Sequence, residues 1–149
     1  MSKVMLISIK PEFAEKIFNG EKSIELRKAT PSVEPGDMVI VYCTLPVKAV
    51  IGYCRVEKIL KMAPQQLWLE HQSRLGIDEK RFQEYYRNVN TAVGISLREI
   101  CRLNDDISLD TIKQRFPRFS PPQTFRYYDN QVFEQYLDLQ GKEREQSCA

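Results

Sequence analysis

Lys22, Glu25 and Arg27 place two cations and a carboxylate within six residues of the run Gly20-Glu21-Lys22-Ser23-Ile24-Glu25-Leu26-Arg27. On a β-strand, Ser23, Glu25 and Arg27 share one face, while Ile24 and Leu26 take the other. Such a polar stripe has two uses. Arginine presents a planar fork that fits a phosphate or a carboxylate, and a lysine at the strand entry adds a mobile point charge. A carboxylate between them serves as a general base or accepts hydrogen bonds from a base edge. The same spacing also allows an Arg27–Glu25 ion pair that only braces the strand.

A second set of residues suits nucleic acid. Lys113 to Tyr128, KQRFPRFSPPQTFRYY, carries four basic residues, five aromatics and no acidic residue. Rings stack on bases while Arg and Lys meet phosphates, and Gln123, Arg126 and Tyr127 are the expected contacts. Phe116, Phe119 and Phe125 suit a strap across a core instead. Lys48, just after Leu45-Pro46, stands at a turn and is a further candidate for a cleft. Trp68 and His71 lie three apart on one helix side, Trp68 as a packing residue. The charged run 79–84, EKRFQE, reads as a solvated face supporting Phe82.

These residues need a frame. At 149 residues the chain has the size of one domain, with residues 1–140 expected to form it and 141–149 a short polar tail. With 42% hydrophobic and 28% charged residues, the composition is that of a globular protein. A formal net charge of only +2 excludes a bulk nucleic-acid binder, so any such site must be local. The apolar start is too short for a signal peptide or a membrane span, and a cytoplasmic location is expected. Four scattered cysteines, with no Cys-x-x-Cys pair and one histidine, point to reduced thiols without a metal site, and no cofactor is expected.

Hydrophobic periodicity orders the elements. Val4 to Ile9 is a buried strand, Pro11 opens a short helix, and Asn19-Gly20 stops it. Lys22 to Lys28, Met38 to Cys43, Ala49 to Ile59 and Thr91 to Cys101 read as strands, with Pro31 to Asp37 a turn and Gly52 a bulge or close-packing site. Two helices follow Ala63, divided by Gly76 to Asp78. Ser108 to Phe116 and Gln131 to Leu139 are helical. The strands from Lys22 to Ile59 leave no room for crossover helices, so the fold class is α+β, a small mixed β-barrel with helices inserted between strands and packed at its side.

The stretches SIKPEFAEKIFNGEKSIELRK, PGDMVIVYCTLPVKAVIGYCRVEKI and PPQTFRYYD resemble the ASCH domain proteins of the PUA-like superfamily, in particular a small prokaryotic group of predicted transcriptional regulators. The resemblance runs from about Val4 to Tyr128. It implies a barrel with a cleft beside the first helix, thought to bind RNA or a modified nucleoside. Some relatives are acetylcytidine amidohydrolases, in which a lysine activates a threonine three residues later with help from a glutamate. Here the lysine matches Lys22, but the threonine position holds Glu25 and the glutamate falls near Leu75.

A carboxylate acyl acceptor would give an anhydride, so the expected role is a binding module for RNA or a nucleotide-like ligand, with Lys22, Glu25 and Arg27 bounding its cleft. The alternative is a small hydrolase of a modified nucleoside with Lys22 and Glu25 as its polar pair. DNA is a further candidate partner, though no helix-turn-helix stands out.

Overall fold

A computed structural model describes residues 3–129. Strand β1 (Lys3–Ile9) is apolar on both faces from Val4 to Ile7 and is buried on both, as an interior strand must be. Helix α1 (Pro11–Asn19) has proline at its first position and ends on Gly20, whose φ of 91° is the left-handed stop that a side chain would strain. Strands β2 (Ile24–Arg27), β3 (Met38–Cys43) and β4 (Ala49–Met62) follow. Next come helix α2 (Pro64–His71), a 3₁₀ turn (Gln72–Arg74) and helix α3 (Glu79–Tyr85). Strand β5 (Ala92–Ser108), helix α4 (Leu109–Arg115) and strand β6 (Phe125–Asp129) complete the order.

The six strands form one sheet in the order β2-β5-β4-β3-β1-β6. β1 and β3 run parallel, joined through α1 and β2, and the other neighbours are antiparallel. The α+β class stands, but the expected barrel is not closed by hydrogen bonds, because β2 and β6 are both edges. The sheet nevertheless curls. Register shifts at Val50/Gly52, Tyr53/Arg55 and Val56/Lys58 mark bulges in the β4–β5 ladder, and bulges sharpen twist. A Cβ at Gly52 would collide with the Phe18 ring and the Cys101 carbonyl, so glycine lets α1 close onto the sheet. The curl brings edge strand β2 back toward β1, and Arg27 Nη2 donates to the Ser8 carbonyl at 3.0 Å.

Three apolar clusters hold the elements. Val4, Leu6 and Ile40 pack with Ile112 of α4 on one face. Met5, Ile7 and Val41 pack with Ala14 and Ile17 of α1 on the other. Leu67, Leu75, Phe82 and Tyr86 join α2 and α3 to Ile24 and Leu26. Trp68 belongs to this last packing, its ring centroid 5.2 Å from that of Phe82. On the free edge of β2, Tyr85 Oη donates to the Leu26 carbonyl at 3.3 Å. Where β2 meets β5, Tyr86 Oη reaches the Arg27 carbonyl at 3.1 Å and the Val93 carbonyl at 3.2 Å.

Some expectations are extended or corrected. β5 runs on to Ser108 rather than ending at Cys101, and the end of the aromatic segment is itself a strand, β6, paired with β1. Cys43 and Cys54 are free and buried, but Cys101 is disulfide-bonded, so reduced thiols throughout is not what the structure has. Among the described residues no helix is long and apolar enough to cross a membrane. The expected helix at Gln131 to Leu139 and the domain end at 140 lie outside the described residues.

Candidate functional site

The stop at Gly20 turns the chain back so that Lys22 enters the protein just before β2 begins. Its backbone N–H reaches the Lys16 carbonyl at 3.0 Å, and its side chain, 2% exposed, runs under the 3₁₀ turn. There Nζ donates to the Leu75 carbonyl at 2.7 Å and stands 3.6 Å from Glu25 Oε1. Burial pushes the ammonium below the usual lysine range, with the Glu25 charge acting in the opposite direction. Gly76 makes room for this path: it sits at φ 64°, and a Cβ there would lie 2.7 Å from Lys22 Cβ.

Glu25 is held from both sides. Arg27 donates to its Oε2 through Nη2 at 2.6 Å and Nε at 3.2 Å, while Lys22 faces Oε1. The ion pair that spacing alone allows is therefore present, but it is part of a larger arrangement. Arg27 ties Glu25 to the Ser8 carbonyl of β1, and Ser8 Oγ in turn donates to the Pro122 carbonyl at 2.6 Å. Glu25, Arg27 and Ser8 thus form a polar floor between β2, β1 and the chain leading into β6.

Above this floor opens a cleft of about 570 Å³. Lys22, Glu25, Arg27 and Gln123 all line it, so four of the sequence candidates converge. Ser23 turns instead to Arg74, whose Nε donates to its Oγ at 2.8 Å. Lys48, Arg126 and Tyr127 are not in the lining. Lys48 sits exposed at the β3–β4 turn with φ 52°, its N–H bonded to the carbonyl of Thr44, which does line the cleft. Arg126 donates to the Ser120 carbonyl and the Tyr128 hydroxyl, and Tyr127 Oη accepts from the Ser32 N–H at 2.6 Å. Strand alternation puts the two on opposite faces of β6, and each is held by its own partner away from the cleft.

Residues that sequence reasoning left out complete the walls. Lys10, at the N-cap position of α1, lines the mouth, is exposed and makes no side-chain cap bond. Arg81 and Tyr85, four apart on α3, face the cleft, although the charged run around them reads as solvated. Arg81 Nη1 donates to Glu12 Oε2 at 2.7 Å, linking α3 to α1. The Phe13 ring between them is surrounded by cations, with Arg81 5.1 Å, Lys22 5.4 Å and Lys16 5.8 Å from its centroid. The i,i+4 spacing of Arg81 and Tyr85 was the available signal, since it puts both on one helix face.

The site therefore offers fixed guanidinium donors and a carboxylate acceptor on its floor, an ammonium at its mouth and a tyrosine ring on its wall. That set fits a polar, planar ligand carrying negative charge. Among the described residues no group of three or more His, Cys, Asp or Glu stands together as a metal site would require.

Comparison with known proteins adds the following. The model of the ASCH domain matches residues 7–101. The chain is similar to a Zymomonas mobilis protein named ASCH domain-containing ribonuclease, at 28% identity over 137 residues, covering 92% of each chain. It is also similar to the crystal structure of ASCH from Zymomonas mobilis, with a TM-score of 0.85 at 28% identity, covering 91% of this chain and 94% of that one. A crystal structure from Agrobacterium tumefaciens gives a TM-score of 0.60 at 13% identity over 94% of both chains, a likeness of fold alone.

Proposed function

The chain belongs to the ASCH domain family, and from that premise we propose that it is an RNA-binding protein whose cleft takes one nucleotide of a single strand. The observation that carries this reading is the convergence of Lys22, Glu25 and Arg27 with Lys10, Tyr85 and Gln123 on one open cleft. In this reading Arg27 and Glu25 offer a donor and an acceptor side by side to a base edge, Tyr85 gives the base a face, and Lys10 meets the phosphate. The curled sheet is read as the PUA-like arrangement, with the cleft beside its first helix. The near-neutral charge of the chain supports a pocket with few phosphate contacts rather than a long basic groove.

The test is fluorescence anisotropy with a labelled single-stranded RNA 12-mer at low salt. Wild type is expected to bind, with Lys10→Ala weakening binding several-fold and Tyr85→Leu by about tenfold, the loss of one stacked base. Absence of binding by the wild type would overturn the reading.

A second reading, RNA cleavage, is favoured by the Zymomonas mobilis relative named a ribonuclease. Glu25 is the carboxylate placed to take a proton, and Arg27 the group beside it that stabilises charge developing on a phosphate. Shortened products from the same 12-mer, lost in Glu25→Gln while circular dichroism shows the fold kept, would establish it. An intact RNA that stays bound would leave the binding role alone.

A further inference from the structure

The segment that enters the cleft at Gln123 starts from the last turn of α4 and gathers four cations on its way. Lys113 and Arg115 close α4, Arg118 follows in the turn where the Phe119 N–H bonds the Phe116 carbonyl at 2.9 Å, and all three are exposed. Arg126 is brought to the same strap from β6, donating to the Ser120 carbonyl at 2.9 Å and the Tyr128 hydroxyl at 3.2 Å. In contrast to Lys22, Arg27, Arg74, Arg81 and Arg102, none of these four cations is in an ion pair with an acidic residue among the described residues. The stretch 113–128 itself contains no acid to pair with them.

The strap is also fixed in place. Phe119 and Ile112 are buried in the core beneath it, and Pro122 is clamped by the Ser8 hydroxyl. Thr124 accepts the Ser8 N–H at 3.0 Å. From Gln123 in the cleft wall to Ser120 is three residues, at most about 11 Å of chain. Four unneutralised cations thus begin within a few nucleotides' reach of the cleft, on a surface anchored by its own apolar residues.

We propose that this strap is a second nucleic-acid contact, a phosphate track formed by Lys113, Arg115, Arg118 and Arg126 that holds the strand flanking the nucleotide in the cleft. It rests on the RNA reading of the cleft and deepens it. Division of labour follows from the chemistry: the cleft contains the carboxylate and ring that read a base, whereas the strap offers charge to any phosphodiester backbone. Strap contacts therefore act on length and salt dependence, and they are indifferent to ribose versus deoxyribose.

The experiment compares wild type, the triple variant Lys113→Ala/Arg115→Ala/Arg118→Ala and the cleft variant Lys10→Ala/Tyr85→Leu. Each is titrated with an RNA trinucleotide, an RNA 12-mer and a DNA 12-mer across a series of salt concentrations, with circular dichroism as a check of fold. The triple variant alters only exposed side chains. It is expected to bind the trinucleotide as wild type does, to bind both 12-mers at least tenfold more weakly, and to lower the slope of log K against log salt by about 2, at roughly 0.7 per lost phosphate contact. An unchanged slope with a 12-mer that still binds overturns the track and leaves the cleft reading standing. A slope that falls in the triple variant, with RNA affinity untouched by the cleft variant, keeps the track and overturns the cleft reading. No binding of either 12-mer by the wild type at low salt overturns both.

Discussion

Glu25 lies between Lys22 and Arg27 so that each of its oxygens faces a different cation, Oε1 at 3.6 Å from the ammonium and Oε2 at 2.6 Å from the guanidinium. The two cations are not equivalent partners. Lys22 is disfavoured as a charge by its burial, while Arg27 holds Oε2 through two guanidinium nitrogens at once.

This asymmetry gives a stability prediction. Glu25→Gln leaves Arg27 and Lys22 without their counter-charge and is expected to cost about 3–5 kcal/mol, the range for a buried pair broken on one side. Lys22→Met leaves Glu25 still paired with Arg27 and loses chiefly the bond to the Leu75 carbonyl, for about 1–3 kcal/mol. Urea denaturation of both variants measures the difference. A larger loss in Lys22→Met would show that the ammonium, not the guanidinium, holds the carboxylate.

Gly76→Ala tests whether the 3₁₀ turn sets the position of Lys22. The substitution meets both a positive φ and a Cβ placed 2.7 Å from Lys22 Cβ. Stability is expected to fall by about 1–3 kcal/mol, the scale of one strained backbone position. Because Lys22 must move, RNA affinity should fall with it. A variant of normal stability and affinity would show that the turn yields without consequence.

Alkaline pH should destabilise the protein through Cys54. Burial pushes this thiol up to about 12 from an ordinary value of 9.0, with the Glu25 charge adding to the effect. Below 9.0 the thiol is protonated in both folded and unfolded chains, and its contribution is complete. As pH rises above 9.0 the unfolded chain loses a proton that the folded chain keeps, so stability falls by up to about 1.4 kcal/mol per pH unit. Denaturation curves between pH 8 and 10 should show a steeper decline in wild type than in Cys54→Ala. Equal declines would mean that the thiol ionises in the fold. A thiol reagent should also fail to label native Cys54 at neutral pH.

Acetylcytidine is expected to remain intact when incubated with the wild-type protein and followed by chromatography. No hydroxyl stands three residues after Lys22, and Ser23, the nearest one, is engaged by Arg74 outside the cleft lining. Turnover that disappears in Glu25→Gln would instead make the carboxylate a general base for a modified nucleoside.

The part of the site that the sequence disclosed is the part built from neighbours in the chain. Lys22, Glu25 and Arg27 are separated by two or three residues, and strand alternation was enough to group Glu25 with Arg27. The opposite wall was hidden because Arg81 meets Glu12 across 69 positions, a contact fixed by how α3 packs on β2 and not by any local pattern. Lys48, Arg126 and Tyr127 were grouped with the site by residue type, but β6 pairs with β1 in a register that turns Arg126 toward Ser120. The barrel was half legible. Five of the six strands, and the order of elements as far as α4, followed from periodicity; β6 did not, and whether β2 bonds to β6 depends on the accumulated twist of a long β4–β5 ladder.

The Tyr85 hydroxyl over β2 bears on how the protein meets other chains. An edge strand with free carbonyls is a template on which a neighbour can add its own strand, and sheet-forming proteins face aggregation by that route. Here the Tyr85 hydroxyl occupies the Leu26 carbonyl on the free edge, and the strand is only four residues long. A peptide in extended conformation would have to displace this phenol before bonding the Leu26 carbonyl. A binder designed to dock on this protein by strand addition should accordingly be aimed away from β2, and replacing Tyr85 with phenylalanine would expose the edge carbonyl that the phenol now covers.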